Sequence, residues 1–300
     1  MRVGFRLLGM ATGALMGAAS LAGCPWPRQI QSSPSPTFPP GSSFEQDRSD
    51  ILSTLASGSF DDLFASGLIN DGIGIFSVNA AVPALGARRW GCQYDQGAFD
   101  IDAGSDVFIG LAEPLTARVE FSAPERGVWL GDFPWRLRLV SKPIAEQFHR
   151  EALFAQEPDG SWRLTAVSPG IQAAAAATVA ITDVAVSGSW GALDYSSASV
   201  PIGELPVLLP GQTVNVVLHA TGASASAFVQ DASGARSQLI YDGTDDQGMR
   251  FSGQVAFGSG PPGPAQLGLD VFNPSTLESP QAPYDAVLWG VPAIRQGGAS

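Results

Sequence analysis

The fold of this chain is decided by a stretch at residues 143–167, which runs PIAEQFHREALFAQEPDGSWRLTAV. Its centre, Glu157-Pro158-Asp159-Gly160-Ser161, is a strong turn signal, because Pro presets a turn φ angle and Gly tolerates the left-handed region. The segment after the turn, residues 162–167, has the aromatic and β-branched content of a strand. Residues 148–154 could form a helix by composition, but a strand is expected there because the segment after the turn needs a partner. A long antiparallel hairpin is therefore predicted.

Upstream of this hairpin, the pattern predicts one helix and then further strands. Residues 44–57 place Ile51, Leu52 and Leu55 at helical spacing behind acidic residues, which indicates a helix, and a short helical turn is expected at 60–64. Strand-like content or alternation follows in three segments, residues 92–101, 115–121 and 135–140. The Pro169-Gly170 pair then interrupts the pattern. Residues 45–170 are therefore predicted to form one α+β domain.

This order of elements, a helix followed by long antiparallel strands and a closing Trp-Arg-Leu segment, resembles the NTF2-like (SnoaL-like) family. The residues that carry the resemblance are Arg150, Phe154, Asp159, Gly160, Trp162, Leu164, Val167 and Ser168. The resemblance implies a cone, in which a curved antiparallel sheet wraps around helices and leaves a pocket. Some members of the family use that pocket for catalysis and others only for binding. The chain departs from the family pattern between residues 60 and 89, where the second and third helices are poorly marked.

Downstream, residues 171–300 are predicted to form an all-β domain. Short alternating segments separated by turn signals recur at residues 179–186, 205–209, 213–220, 227–230, 237–241, 249–257, 266–272 and 284–292. Such spacing is typical of an antiparallel β-sandwich. The Pro-Gly-x-x-Val-x-Val-x-Leu motif at residues 210–218, followed by an Asp-rich turn, resembles the Ig-like modules of many bacterial surface proteins. Two domains are thus expected, an α+β cone followed by an Ig-like sandwich.

The first residues of the chain indicate where the protein resides. Arg2 and Arg6 precede an uncharged stretch at residues 7–23, which is the layout of a secretory signal. It ends in Leu21-Ala22-Gly23-Cys24, which resembles the lipobox of bacterial lipoproteins and implies cleavage before Cys24 and lipidation of its thiol. An ordinary signal peptide and an uncleaved anchor are the alternatives, although the stretch is short for a hydrocarbon core about 30 Å thick. Residues 1–23 are therefore predicted to be a lipoprotein signal peptide.

A Pro- and Ser-rich segment, residues 24–44, follows the predicted lipidation site. Pro interrupts regular hydrogen bonding and Ser stays solvated, so an extended tether is expected. Pro25 occupies the place where Asp marks inner-membrane retention in enteric lipoproteins. The resemblance therefore implies the outer membrane, facing the periplasm or the cell surface, with the N-terminal lipid as the contact to the membrane.

Composition excludes some classes of function. Hydrophobic residues make up 45% of the chain and charged residues 15%, as in globular proteins. The formal net charge of −12 repels nucleic acid and anionic headgroups, so no nucleic-acid partner is expected. With Cys24 lipidated, Cys92 is expected to be a buried apolar thiol rather than a reactive one. The sequence contains no CxxC motif or Cys/His cluster, so neither a zinc site nor another cofactor is expected.

Candidate site residues in the first domain are Tyr94, Asp95, Asp100, Asp102, Glu120, Glu146 and His149. If a pocket exists, Asp100 or Asp102 could act as a base together with Tyr94 or His149. Both aspartates would share one face of a strand, so the alternative is that they lie on its solvated face.

Candidate site residues in the second domain are fewer. Asp242, Thr244 and Asp246 are spaced like the first ligands of a calcium loop, but Gly248 falls one residue late and no Glu closes the loop. A plain Asx-Gly turn is the alternative to a calcium site. His219 is expected to be a solvent-facing strand residue.

Motifs for catalysis are missing from the sequence, which has no nucleophile elbow, Walker loop, zinc-protease helix or Rossmann fingerprint. The leading hypothesis is a lipid-anchored bacterial envelope protein that binds or scaffolds an envelope protein or small ligand without catalysis. The alternative is an NTF2-like pocket enzyme or small-ligand carrier in the first domain. The two differ in geometry, since the alternative requires at least two of the candidate side chains to point into one pocket.

Overall fold

The computed structural model describes residues 43–56, 60–64, 86–87, 89–95, 99–110, 112, 114–134, 139–230, 236–256 and 262–296. The predicted signal peptide, Cys24 and most of the predicted tether lie outside these residues. Contacts group residues 40–300 into one compact unit. In the described part, no helix has the length and apolar character needed to cross a membrane.

The described residues form mainly β-strands with a few short helices. The strands are β1 (Arg89–Tyr94), β2 (Ser105–Ile109), β3 (Thr116–Asp132), β4 (Val140–Gln156), β5 (Trp162–Val167), β6 (Gly170–Ala174), β7 (Ala180–Gly188), β8 (Gly191–Tyr195), β9 (Val200–Pro201), β10 (Val207–Leu208), β11 (Thr213–Thr221), β12 (Ser226–Gln230), β13 (Arg236–Gln238), β14 (Ile240–Thr244), β15 (Met249–Ala256), β16 (Gly263–Phe272) and β17 (Ala286–Arg295). The helices are α1 (Ser43–Ala56), α2 (Ile101–Gly104) and α3 (Pro274–Glu278), with 3₁₀ turns at Asp61–Phe64 and Ile202–Glu204.

The predicted hairpin at residues 143–167 is confirmed. β4 pairs antiparallel with β5, with Gln156 opposite Trp162, and Gly160 takes a φ of 87° in the turn. β4 also pairs with β3 along its whole length. Buried and exposed residues alternate along β4, which is the period of a strand and not of a helix.

Two sheets contain the strands. The larger follows the order β1-β3-β4-β6-β17-β16-β12-β13, with β2, β5, β9 and β10 paired at its sides, and the smaller follows the order β14-β15-β11-β7-β8. The larger sheet curls so that its two ends meet through side chains. Arg236 of β13 lies 4.3 Å from the centre of the Trp90 ring of β1, and Trp90 packs against Phe228 and Phe272 at 5.1 and 4.8 Å. The concave face therefore encloses an aromatic interior.

The two-domain layout predicted with a boundary near residue 170 is not confirmed. β6 follows Pro169 directly and pairs with β4 on one side and β17 on the other, so the larger sheet contains strands from both sides of that boundary. β17 is buried at nearly every position. A strand with such a continuous apolar run needs cover on both faces, which one small sandwich domain alone would not supply.

The strands of the predicted sandwich are divided between the two sheets. β7, β8, β11, β14 and β15 form the smaller sheet, while β12, β13, β16 and β17 extend the larger one. The predicted inward face of β11 is confirmed, since Val214, Val216 and Leu218 have no exposed surface. The NTF2-like and Ig-like resemblances stay predictions.

Other predicted segments agree in part. The first helix is confirmed as α1, which begins two residues inside the predicted tether and buries Ile51 and Leu55 completely. The predicted strand at 92–101 is confirmed for residues 92–94 and is wrong at Ile101, which begins α2, while residues 96–98 lie outside the described residues. The short helical turn expected at 60–64 is a 3₁₀ turn, and residues 135–138 of another predicted strand lie outside the described residues.

Candidate functional site

The concave face of β4 carries three ionisable side chains. Lys142, Glu146 and Arg150 are four residues apart on the same face, and each is at most 5% exposed. Buried charges are unfavourable unless they are paired, hydrogen-bonded or neutralised. The hydrogen bonds of each of the three side chains therefore show how its charge is accommodated in the interior.

Lys142 has a structural role at one end of β4. Its Nζ donates hydrogen bonds to the carbonyl oxygens of Thr276 and Ser279, and it lies 4.6 Å from the centre of the Trp129 ring. These carbonyls belong to the last turn of α3 and the residue that ends it, where a cation is favoured. Burial lowers the pKa of Lys142 to about 8. Lys142 thus fixes α3 to the sheet.

Arg150 has a structural role at the other end of the row. Its Nη1 donates to the carbonyl oxygen of Leu63, and its Nη2 donates to the carbonyl oxygen of Gly290 at 2.8 Å and to Oε1 of Gln266 at 3.2 Å. Burial lowers the pKa of Arg150 to about 9. A Cβ on Gly170 would lie 2.7 Å from Nη2, so the guanidinium packs directly on the β6 backbone. Arg150 therefore ties the 3₁₀ turn and β17 to β4.

Glu146 is the centre of a polar group that we call the Glu146 cluster, made of Tyr94, Glu125, Glu146, Gln172 and Tyr284. Oε2 of Glu146 accepts hydrogen bonds from the Tyr94 hydroxyl at 2.9 Å and from Nε2 of Gln172 at 2.8 Å. The Tyr94 hydroxyl lies 3.5 Å from that of Tyr284. Glu125 stands directly opposite Glu146 in the β3–β4 register, and all five residues are buried. The cluster joins β1, β3, β4, β6 and the segment before β17.

The Glu146 cluster favours a carboxyl group that binds a proton near neutral pH. The pKa of Glu146 is raised to about 7, because burial and, to a smaller extent, the charge of Glu125 outweigh the hydrogen bonds from Tyr284, Tyr94 and Gln172. Burial and the Glu146 charge also raise the pKa of both tyrosines well above the ordinary value, so they remain neutral donors. Among the described residues, Oε1 of Glu146 has no hydrogen-bond partner of standard geometry. The cluster can therefore bind a proton or a ligand hydrogen-bond donor.

The residues predicted for a catalytic pocket do not converge. Tyr94 belongs to the Glu146 cluster, but Asp100 caps α2 by accepting from the Ala103 amide at 3.1 Å. Asp102 is 73% exposed and forms an ion pair with Arg48 at 2.6 Å. His149 lies on the outward face of β4. The idea that Asp100 and Asp102 share a strand face is wrong, because Asp102 lies within helix α2, which begins directly after Asp100.

Period-two alternation on β4 could have placed Glu146 beside Ile144 and Phe148 on the buried face. Its partners Glu125, Gln172 and Tyr284 carry no such local signal. They come from distant segments that only strand pairing brings together.

Of the predicted calcium residues, Asp242 and Thr244 lie on β14, and Asp246 lies in the turn between β14 and β15. Asp242 accepts a hydrogen bond from Nη1 of Arg250 at 3.0 Å, and Asp246 is exposed. Among the described residues, no group of three or more His, Cys, Asp or Glu side chains is placed to hold a metal ion. Cys92 is completely buried, in agreement with the prediction.

His219 is not solvent-facing as predicted. Its side chain is 10% exposed, because Asp183 and Asp245 cover it on the outer face of the smaller sheet. The Glu146 cluster and this histidine are thus two polar groups that the fold assembles from distant segments. Comparison of the chain with protein-family models, with curated proteins and with solved structures found no match.

Proposed function

We propose that this chain is a lipid-anchored bacterial envelope protein whose β-rich folded part is a non-catalytic binding or scaffolding module. The membrane part of the proposal is supported by the lipobox-like Leu21-Ala22-Gly23-Cys24 and the Pro- and Ser-rich segment after it. The non-catalytic part is supported by the separation of Asp100, Asp102 and His149 from the Glu146 cluster.

The interior of the larger sheet also supports a scaffolding role. Phe99 packs against Phe121 and Phe148 at 5.1 and 5.0 Å, and Phe121 and Phe148 have no exposed surface. Dense aromatic packing of this kind stabilises a rigid platform. A rigid platform on a long tether is suited to holding a partner away from the membrane.

Lipid labelling tests the anchor. The full chain, expressed in a bacterial host with an alkyne fatty acid, is expected to incorporate the label, and Cys24→Ala is expected to abolish it. Cys92→Ala is the matched control. Because the Cys92 thiol is buried, this substitution is expected to leave labelling unchanged. Label retained by Cys24→Ala, or none in the wild-type chain, would contradict the proposal.

Fractionation of the same cells tests the location. The lipidated chain is expected in the outer-membrane fraction of a density gradient, and protease added to intact cells distinguishes the cell surface from the periplasmic face. Recovery in the inner-membrane fraction would contradict the outer-membrane assignment while leaving the lipid anchor intact.

A small-ligand carrier built on the Glu146 cluster is the second candidate. The observation that favours it is the buried Oε1 of Glu146, which has no hydrogen-bond partner of standard geometry among the described residues. A small molecule with an apolar body and one hydrogen-bond donor would satisfy that oxygen among aromatic walls.

Native mass spectrometry of protein purified from its host tests this candidate. A bound small molecule is expected on the wild-type chain and on Glu120→Gln, whose side chain pairs with Arg118 away from the cluster, but not on Glu146→Gln. A wild-type chain that carries no additional mass would exclude the carrier.

A further inference from the structure

His219 lies between two carboxylates on the outer face of the smaller sheet. Its Nδ1 is 2.8 Å from Oδ1 of Asp183, and its Nε2 is 3.2 Å from Oδ2 of Asp245. Asp183 belongs to β7, and Asp245 belongs to the turn between β14 and β15. One imidazole ring therefore connects the centre of the sheet to a turn at its edge.

The placement of the ring between two carboxylates favours its protonated form. An ionised carboxylate only accepts hydrogen bonds, and a neutral imidazole carries one N–H, so it can donate to one of the two carboxylates at a time. Both contacts are hydrogen bonds only when His219 carries two N–H groups, as the imidazolium does.

The turn depends on the same carboxylate that contacts the histidine. Oδ1 of Asp245 accepts from the Gln247 amide at 2.9 Å, while the Asp245 amide donates to the Gly248 carbonyl at 2.9 Å. β14 enters the turn as the edge strand of the sheet, with a register irregularity between Tyr241 and Gly243. Release of Asp245 would therefore loosen the turn and the end of the edge strand together.

We propose that Asp183, His219 and Asp245 form a pH-sensitive latch. The protonated ring holds the β14–β15 turn on the sheet, and loss of its proton frees Asp245 while the Asp183 contact remains. Asp245 is the partner that is freed, because its contact is the longer of the two and its side chain is 41% exposed, against 33% for Asp183.

The groups around the ring favour its protonated form, as the latch requires. Burial lowers the pKa of His219, but the hydrogen bonds and charges of Asp183 and Asp245 outweigh that effect, so the pKa is raised. On β15, Arg250 stands opposite His219 in the register, and its charge is paired with Asp242. On β7, Thr182 donates to the His219 carbonyl oxygen at 3.2 Å and carries no charge.

Two measurements on the full folded chain test the latch. In an NMR titration, the His219 ring is expected to lose its proton at a higher pH than a free histidine, with the His149→Gln variant used to assign the two histidines. In hydrogen exchange corrected for the intrinsic rate, protection of the Gln247 and Gly248 amides is expected to fall about fivefold between about pH 6 and pH 9.

Two variants separate the latch from general loosening of the fold. His219→Gln cannot titrate and is expected to give the same low turn protection at both pH values, and Asp245→Asn is expected to lower the pH at which His219 titrates. His149→Gln is the matched control and is expected to behave as the wild type. Two results with the wild-type chain alone would overturn the proposal. One is a His219 ring that titrates at or below the pH of a free histidine, and the other is exchange protection of the turn amides that does not change with pH.

Discussion

The interior of the larger sheet and the outer face of the smaller sheet both contain a group that binds a proton more strongly than usual, for opposite physical reasons. In the interior, burial raises the pKa of Glu146 because a charged carboxylate is poorly solvated there. On the outer face, burial would lower the pKa of His219, and two ionised aspartates raise it instead. The comparison shows that desolvation favours the neutral form of an acid, while nearby opposite charges favour the charged form of a base.

Both groups act on stability in the same direction. A folded-state pKa above the unfolded value gives stability that is present at low pH and is lost as pH rises through the folded pKa. For Glu146 this loss falls between about pH 4.5 and 7, and for His219 it begins near pH 6.5 and continues upward. These two groups are therefore expected to stabilise the folded chain more in mild acid than in mild alkali.

The largest expected effect tests the interior. Arg150→Ala is expected to lower the free energy of unfolding by about 3–5 kcal/mol, because it leaves buried carbonyl oxygens without donors and opens a cavity. Urea unfolding measures the change. Arg163→Ala is the control, since Arg163 is 64% exposed, and a loss of less than about 1 kcal/mol is expected for it. Equal losses of unfolding free energy for the two substitutions would contradict the structural role of the buried Arg150.

The second largest expected effect is the pH dependence of stability that Glu146, the acid in the interior, produces. The wild-type chain is expected to lose about 3 kcal/mol between about pH 4.5 and 7 through Glu146, and Glu146→Gln is expected to remove most of this dependence, because the amide does not titrate. Urea unfolding at a series of pH values measures the slope. Glu120→Gln is expected to leave the slope unchanged, and a steep slope that survives in Glu146→Gln would show that the proton binds elsewhere.

A smaller effect is expected for the stability contribution of His219, the base on the outer face. His219→Gln is expected to lower the free energy of unfolding by about 1 kcal/mol near pH 6, where two charge-assisted hydrogen bonds are lost, and by less near pH 9. The same series of urea titrations measures both values. A loss that is equal at the two pH values would mean that packing of the ring, and not its charge, stabilises the sheet.

The smallest expected effect concerns calcium. Because Asp242 is bonded to Arg250, neither calcium nor a chelator is expected to change the melting temperature of the folded chain. Differential scanning calorimetry with and without each additive measures this. A calcium-dependent increase that Asp246→Ala removes would instead support the calcium site considered from the spacing of the turn.

Local patterns in the sequence predicted the local structure well. The Asp159-Gly160 turn, the alternation on β11 and the spacing of Ile51 and Leu55 each depend on neighbouring residues, and each is confirmed. The predicted boundary is not confirmed, and the reason is non-local. Pro169-Gly170 does interrupt the chain, but the segment after it pairs with β17, more than one hundred residues further along.

What the sequence determined by itself is thus the strand and turn content, the helix α1 and the buried state of residues such as Cys92, since these follow from side-chain period and turn chemistry. Tertiary structure alone decided which strands share a sheet, and therefore which polar groups meet. Glu146 was visible as a polar residue on a strand, but its raised pKa depends on Tyr94, Glu125, Gln172 and Tyr284. Those residues reach it only through the pairing and curling of the sheet, and burial and hydrogen bonding act over a few ångströms in space, whatever the separation along the chain.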